Sequence, residues 1–328
     1  MPLLLNFKQA LIRLFFSCDG LKGFVINYPE TFLLSSKGKV LKSLGATLSS
    51  KRKFKRLKII ETANSPLRTP ILISIILPAL NAEKTIVKAI NSILEQSYPH
   101  WELLIINDGS TDATMQVIGE FSQRDARIKV YNNTVCKGAA YARNVGLFYA
   151  KGEYITFHDA DDTSHPERLE YLLSTLLMNA KTQIVISQYV RVDSVGKPYL
   201  INGRKRRNYI SGMMISKQTR KQVGYFKALK ISEDSEYYER IIASYGKQAR
   251  TFICKTLYYA LFSPDSLLFS NASVTVNGRI LDYQIDSYQR AELESCRLEH
   301  KKITAGDLSP YQAFAIDNEI TSAIDFDE

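Results

Sequence analysis

Cysteine is scarce in this sequence of 328 residues, and its four cysteines lie far apart. No two of them form a Cys-x-x-Cys pair, which is the usual spacing of zinc ribbons and of thiol redox motifs. A low cysteine content is also typical of proteins from a reducing compartment. We therefore expect neither a cysteine-based zinc site nor a disulfide framework, and we expect a cytoplasmic protein.

The sequence also lacks a hydrophobic run of the roughly 20 residues that a membrane-spanning helix requires. Residues 3–16 instead combine apolar residues at near-helical spacing with Lys8 and Arg13, which predicts an amphipathic helix. Such a helix either lies on a membrane surface or packs against its own protein. The sequence leaves both alternatives open.

Acidic residues are scarce only at the start of the chain. Residues 1–68 contain 13 Lys or Arg and 3 Asp or Glu, so they carry the whole formal charge of +10. The basic residues are densest at residues 51–58, which indicates either contact with an anionic membrane surface or a solvated linker. The rest of the chain is neutral, with 30 residues of each sign, and this argues against nucleic acid as a partner.

A cluster of chain-breaking residues at 65–70 follows the basic run, and we place a domain boundary there. The sequence divides into a basic N-terminal extension (residues 1–68), a main α/β domain (residues 69–282) and a C-terminal helical tail (residues 283–328). Within the second half of the chain we expect helices at residues 167–179 and 233–246, and a strand at residues 183–192.

Short β-branched runs alternate with amphipathic helical patterns after the boundary. We expect strands at residues 71–77, 101–106, 127–131 and 154–157, with a helix between each strand and the next. This alternation predicts a doubly wound, mostly parallel α/β sheet. Ligands bind such sheets beyond the carboxyl ends of the strands, where the polar loops of this sequence also lie.

Two carboxylates follow the fourth predicted strand directly. Asp159 and Asp161 are separated by one residue, so both can turn towards the same hard cation. Mg²⁺ or Mn²⁺ held in this way keeps positions open for a substrate diphosphate. An acidic loop of this kind can also be merely solvated, but its position at the end of a buried strand favours a metal and substrate site.

Polar and small residues follow the other strands of the predicted sheet. Pro78 and Asn81 end the first strand and its loop, and Asp108 follows the second, where it is suited to a nucleobase or ribose contact. The alternative for Asp108 is a local turn or a helix cap. Gly138 and Arg143 open a helix and are suited either to a phosphate contact or to packing.

Glu233 and Asp234 begin a predicted helix further along the chain. Acidic residues favour the first helical turn in any protein, because of the helix dipole. A carboxylate close to a metal site can alternatively deprotonate an acceptor hydroxyl. These two residues are our candidates for a catalytic base.

The ordered set of motifs over residues 71–263 resembles the family 2 glycosyltransferases of bacterial surface-polysaccharide synthesis. Each motif is weak when taken alone, and their order along the chain makes the resemblance specific. The motifs are residues 76–81, 102–112, 142–146, 150–162, 166–167, 223–226 and 233–234. The family has the GT-A fold, a Rossmann-like sheet, and here the sheet carries helical N- and C-terminal appendages.

The resemblance implies an inverting transfer of a sugar from a nucleotide diphosphate, commonly UDP, to a hydroxyl of a glycan or glycolipid. In that reaction Asp161 foremost binds the metal, Asp108 contacts the nucleobase and Asp234 activates the acceptor. The acceptor can be lipid-linked at the inner face of the membrane. The sequence departs from the family at Ala79 and Leu80, where Thr and an aromatic residue are common, and at Lys227, where Asp is usual.

Two other functions were considered. A nucleotidyltransferase would carry a Gly-rich, basic phosphate loop after the first strand, and residues 78–81 do not form one. An inactive GT-A scaffold that acts as a glycan-binding or membrane-associated protein would have no need of intact acidic motifs, and this sequence retains all of them.

Overall fold

The computed structural model describes residues 70–229, 232–263, 272–285, 287–316 and 321–323. The predictions for residues 1–68 therefore lie outside the described residues. Contacts divide the chain into one unit of residues 1–70 with 252–255 and a second unit of residues 71–251 with 256–328. Apart from residues 252–255 of one strand, the elements below belong to the second unit. Cys254, in that strand, is disulfide-bonded, whereas the sequence predicts no disulfide framework.

The first half of the second unit alternates strands and helices, as the sequence predicts. Strands β1, β2, β3 and β4 pair in parallel in the order β3-β2-β1-β4. The elements are β1 (Ile73–Ala79), α1 (Ile86–Leu94), β2 (Trp101–Asp108), α2 (Thr114–Arg124), β3 (Ile128–Asn133), α3 (Ala139–Tyr149) and β4 (Tyr154–Phe157). The predicted doubly wound α/β sheet is confirmed.

The second half extends this sheet with antiparallel strands. Beyond β4 the order continues β9-β6-β10-β5, and β9 runs antiparallel to both β4 and β6. The elements are β5 (Thr163–Ser164), α4 (Arg168–Met178), β6 (Ile184–Val192), β7 (Leu200–Ile201), β8 (Arg207–Asn208), β9 (Met214–Ser216), α5 (Lys217–Val223), α6 (Glu233–Tyr245) and β10 (Arg250–Leu261).

The C-terminal part differs from the predicted helical tail in two places. Strands β11 (Ala272–Asn277) and β12 (Ile280–Ile285) form a hairpin, so the long helix α7 (Ser287–Ala305) begins after residue 283. The hairpin turn contains Asn277-Gly278, with Gly278 at φ 57°. Asn-Gly is a strong hairpin signal, and no strand was predicted on either side of it. Strand β13 (Thr321–Ala323) then pairs antiparallel with β3.

The core lies where helices cover the parallel strands. Every residue of β2 is buried, and α1 turns Ile86, Ala89, Ile90 and Ile93 inwards. Strands covered on both faces are continuously apolar rather than alternating, which explains the uninterrupted runs in β1 and β2. Among the described helices, none is long and apolar enough to cross a membrane.

A buried ionic cluster holds α6, the helix that begins with Glu233. Arg240 pairs with Glu236 one turn away, at 2.9 Å, and both side chains are inaccessible to solvent. The same guanidinium donates to the carbonyl oxygen of Tyr225, at 2.7 Å. His300 of α7 contacts Glu236 at 3.1 Å. These contacts set the position of α6 relative to the sheet.

Glycine at position 146 allows α3 to lie directly on β1, and we predict that Gly146→Ala destabilises the protein. A Cβ atom there would overlap the Ile76 side chain and lie 3.1 Å from Cδ1 of Ile106. Overpacking of this kind costs about 1–3 kcal/mol, which exceeds the helix-propensity gain of about 1 kcal/mol. The change is measured as the free energy of unfolding in urea.

Gly119→Ala in α2 is the matched control, because no atom lies within 4 Å of the added Cβ. It should stabilise the protein by about 0.5–1 kcal/mol. Equal effects of the two substitutions would contradict the proposed contact between α3 and β1.

Candidate active site

Asn81 links the loops that follow β1 and β2. Its backbone has φ 48°, its N–H donates to the Ser110 hydroxyl at 2.9 Å, and its side-chain oxygen accepts from the Thr111 N–H at 2.8 Å. Pro78 lies inside β1 opposite Ile106, because the strand continues to Ala79. Both predicted residues therefore lie at the carboxyl edge of the sheet, where Asn81 joins two loops.

Asp108 ends β2 and organises the loop between β3 and α3. Its buried carboxylate accepts from the Asn133 side chain at 2.8 Å and from the N–H groups of Lys137 and Gly138 at 3.0 and 2.7 Å. Gly138 precedes α3 with φ 92°, a conformation that favours glycine. The structure thus joins Asp108 and Gly138, two residues that the sequence assigned to one ligand.

The local turn that was the alternative role for Asp108 is formed by Asp112. Asp112 accepts from the Thr114 N–H at 2.9 Å, at the start of α2. Gly109 follows Asp108 with φ 76°, and a Cβ atom there would lie 2.6 Å from the Cys136 nitrogen. Glycine is therefore required where the two loops touch.

Arg143 connects the two acidic motifs of the sequence. It projects from α3 and is buried, and its guanidinium donates to Asp159, at 3.0 Å, and to Glu233. Burial alone would lower the pKa of Arg143, but the two carboxylates raise it above its ordinary value. Residues 16 and 90 positions away in sequence thus meet at one cation.

Two tyrosines complete the surroundings of Asp159. The Tyr209 hydroxyl donates to its carboxylate at 2.7 Å, and the Tyr258 hydroxyl accepts from its N–H at 3.0 Å. The two rings stack with centroids 3.9 Å apart. Burial raises the pKa of Asp159, but Arg143 and Tyr209 outweigh it and lower that pKa below the ordinary value. Sequence reasoning missed both tyrosines, because neither belongs to a motif.

Asp161 lies in the same loop without such support. Burial, and then the charge of Asp159, raise the pKa of Asp161 to about 6. Asp162 accepts from the Leu261 N–H at 2.7 Å, and burial followed by the charge of Asp161 raises its pKa well above the ordinary value. The loop therefore concentrates negative charge, which a cation would relieve.

The resemblance described above implies a divalent metal. The acidic loop fits a metal ion whose remaining ligands come from substrate and water. The described residues contain no group of three or more His, Cys, Asp or Glu arranged to hold a metal. Asp159 is already bonded to Arg143 and Tyr209, which makes Asp161 the more available carboxylate. A hard cation accepts such a site when a diphosphate and water supply the remaining oxygen atoms.

The two candidate bases have different surroundings. Glu233 is buried against Arg143, whereas Asp234 is half-buried and accepts from the Ser211 hydroxyl. Burial raises the pKa of Glu233, Arg143 lowers it and Asp234 raises it, with a net rise. Because Glu233 is held in an ion pair, Asp234 is the better placed of the two to accept a proton from a substrate.

The segment that contains this candidate site matches a known protein family. Residues 74–234 match the model described as Glycosyl transferase family 2. The matched segment runs from β1 to the first turn of α6. It contains every site residue that the sequence predicts, whereas Tyr258 lies beyond it.

Two curated relatives illustrate the similarity. The chain is 48% identical over 108 residues to the UDP-Glc:alpha-D-GlcNAc-diphosphoundecaprenol beta-1,3-glucosyltransferase WfgD of Escherichia coli, which is 33% of this chain and 42% of WfgD. It is 35% identical over 122 residues to the glycosyltransferase GlyG of Streptococcus pneumoniae serotype 4, which is 37% of this chain and 40% of GlyG. The matched segments thus span less than half of either relative.

A solved structure shares the fold. S. aureus TarS 1-349 in complex with UDP-GlcNAc superposes with a TM-score of 0.54 and 22% sequence identity, and the alignment covers 73% of this chain and 72% of that chain. At this identity the likeness shows the GT-A fold alone.

We predict that Arg143→Met destabilises the protein strongly, and less at low pH. Removal of one partner from a buried ion pair costs about 3–5 kcal/mol, because Asp159 and Glu233 would stay buried without a cation. In the variant both folded-state pKa values would lie above the unfolded ones. The stabilisation from protonation is then present at low pH and lost as the pH rises. The difference in free energy of unfolding between the parent and the variant should therefore be smaller at pH 5 than at pH 7.

Urea unfolding of both proteins at pH 7 and pH 5 measures this deficit. The control is Arg124→Met, which removes an exposed pair with Glu120 at 3.5 Å and should change stability by no more than about 0.5 kcal/mol. A deficit for Arg143→Met as small as that of the control would contradict the linking role of Arg143.

Proposed function

We propose that this chain, of which residues 74–234 match the model of glycosyl transferase family 2, transfers a sugar from a nucleoside diphosphate to an acceptor hydroxyl. We take the donor to be a UDP-sugar and the acceptor to be a glycan or a lipid-linked glycan of a bacterial surface polysaccharide. The printed name of WfgD, which transfers from UDP-Glc to a lipid diphosphate acceptor, supports this choice. The UDP-GlcNAc bound to TarS supports the donor class.

The proposal rests on one observation: Arg143 forms ion pairs with only one carboxylate of each acidic motif. Arg143 forms ion pairs with Asp159 and Glu233. Over the described ranges, Asp161 and Asp234 form no such pair. One carboxylate of each acidic motif is thereby held in the scaffold, and the other is left for substrate. A purely structural acidic cluster would have no need of this division.

The donor would bind across the carboxyl edge of the sheet. Asp108 and the loop that it organises, including Gly138, would contact the nucleoside, and Pro78 and Asn81 would border it. Asp161, supported by Asp159, would hold Mg²⁺ or Mn²⁺ against the diphosphate. The cation supplies neutralisation of the charge that develops on the leaving nucleoside diphosphate.

Asp234 would act on the acceptor. Its carboxylate accepts the proton of the acceptor hydroxyl while that oxygen attacks the anomeric carbon. The bond from the anomeric carbon to the diphosphate oxygen breaks on the opposite face, and the configuration inverts. Ser211 donates to Asp234 and would orient the carboxylate for this step.

The expected membrane contact of residues 1–68 lies outside the described residues and stays a prediction. A cytoplasmic enzyme at the inner face of the membrane would suit a lipid-linked acceptor. An inactive scaffold remains the alternative that activity measurements distinguish.

We predict that Asp234→Asn lowers sugar transfer by roughly 10²–10⁴-fold, because the amide cannot accept the hydroxyl proton. Binding of UDP should stay within about threefold of the parent, since the change lies on the acceptor side. Transfer is measured as UDP released from UDP-glucose and UDP-N-acetylglucosamine in the presence of lipid-diphosphate acceptors.

Asp307→Asn, at an exposed position after α7, is the matched control and should leave turnover unchanged. Parent-like turnover of Asp234→Asn would remove this residue from the reaction. A parent protein without turnover on any donor or acceptor would favour the inactive scaffold.

A further inference from the structure

A small three-stranded sheet stands apart from the proposed reaction. Its strand order is β11-β12-β7, and β7 runs parallel to β12 with Leu200 opposite Ile280. Ile201 and Leu281 form its core, and Tyr199 and Phe262 pack against them. We call this sheet, with the turns at residues 193–198 and 202–206, the satellite sheet.

Two turns of the satellite sheet are bonded into one edge. Arg279, in the turn between β11 and β12, donates to the Asp193 carboxylate at 2.7 Å and to the Lys197 carbonyl oxygen at 3.2 Å. Its guanidinium also lies 5.2 Å from the centroid of the Tyr199 ring. The turn at residues 193–198 and the turn between β11 and β12 are therefore held next to each other.

Branched apolar side chains protrude at this edge. Val195, Val276 and Ile280 are 75%, 53% and 38% exposed. Val195 lies at the tip of the turn that Arg279 holds, and Val276 and Ile280 flank the hairpin turn. Val276 lies opposite Leu281, and Ile280 lies opposite Asn277, so Val276 and Ile280 leave opposite faces of the hairpin tip. A tip with exposed apolar side chains on both faces is suited to insertion into an apolar phase.

Positive charge surrounds these side chains. The satellite sheet contains two acidic residues, of which Asp193 is paired with Arg279, and five basic residues, namely Lys197, Arg204, Lys205, Arg206 and Arg279. Arg204 and Lys205 are exposed in the turn that follows β7. Asp282 is the remaining acidic side chain of the satellite sheet, so the surface has a clear net positive charge.

The basic turn continues directly into the candidate active site. It leads into β8, where Arg207 lies opposite Tyr189 of β6. The next residues reach Tyr209, which donates to Asp159. Only a few residues of the chain thus separate the basic turn from Tyr209, the residue that contacts the acidic loop.

We propose that the edge of the satellite sheet docks on an anionic lipid bilayer. Val195, Val276 and Ile280 enter the interfacial region, while Arg204 and Lys205 face the headgroups. The net positive charge favours an anionic partner. The apolar residues occupy turn tips rather than a groove, which favours a bilayer over a protein. Docking is independent of the proposed transfer reaction.

Tryptophan substitutions in the full chain test which part of the protein touches the bilayer. The parent has one tryptophan, Trp101, which is 2% exposed and gives a constant background. V195W and V276W are mixed with phosphatidylcholine vesicles that contain phosphatidylglycerol and acyl-brominated lipid. We expect a blue shift and a loss of emission in both variants. The control is L298W, at a 61% exposed position on α7, and it should behave as the parent.

The charge requirement is tested by R204Q/K205Q with K301Q/K302Q, on α7, as the matched control. Each removed basic residue should weaken partitioning onto the anionic vesicles roughly fivefold, and the control should bind as the parent does. Vesicle binding without quenching of V195W and V276W, as expected if residues 1–68 alone bind, would overturn the proposal. Equal quenching in L298W, equal loss in both charge variants, or no vesicle binding would also overturn it.

Discussion

One buried guanidinium determines how the candidate site is built. A charged group deep in a protein is tolerated only when it is paired and hydrogen-bonded. Arg143 meets this requirement with one carboxylate from the loop after β4 and one from the start of α6. Helix α3, strand β4 and helix α6 must therefore pack so that these groups meet. The geometry of the candidate site is in this sense a consequence of charge neutralisation in the core.

The same constraint divides the acidic residues into two kinds. Asp159 and Glu233 are held in place, and their hydrogen-bonding capacity is largely used by Arg143 and Tyr209. Burial and the charge of Asp159 raise the pKa of Asp161, and the charge of Arg191 offsets only part of that rise. A site that is short of positive charge before ligands bind is suited to a donor that arrives with a divalent cation.

The sequence predicted the parallel half of the fold because its elements are local. Apolar runs, helical spacing and chain breakers define each strand and helix between Ile73 and Phe157 without knowledge of distant contacts. The acidic loop followed from the same pattern, since it directly follows a buried strand. The sequence could not separate the roles of Asp159 and Glu233 from those of their neighbours Asp161 and Asp234. The difference depends on the side chain of Arg143 in α3, which sequence spacing does not place.

The features that were missed depend on contacts between distant segments or on a short turn. Tyr209 and Tyr258 reach Asp159 from 50 and 99 positions further along the chain, so no local pattern marks them. Of the hairpin at residues 272–285, only residues 283–285 lie in the predicted helical tail, and no strands were predicted for the rest, although its Asn-Gly turn was visible. Hairpin strands that are polar on one face give a weak periodic signal, and the long helix that follows them dominated the prediction.

We propose that Asp161 couples nucleotide binding to a divalent cation. Calorimetric titration of UDP into the parent and into Asp161→Asn, with and without Mn²⁺, measures this coupling. Mn²⁺ should strengthen UDP binding to the parent, and Asp161→Asn should lose this gain while it stays folded. UDP binding that is indifferent to Mn²⁺ in the parent, or a gain that persists in the variant, would contradict it.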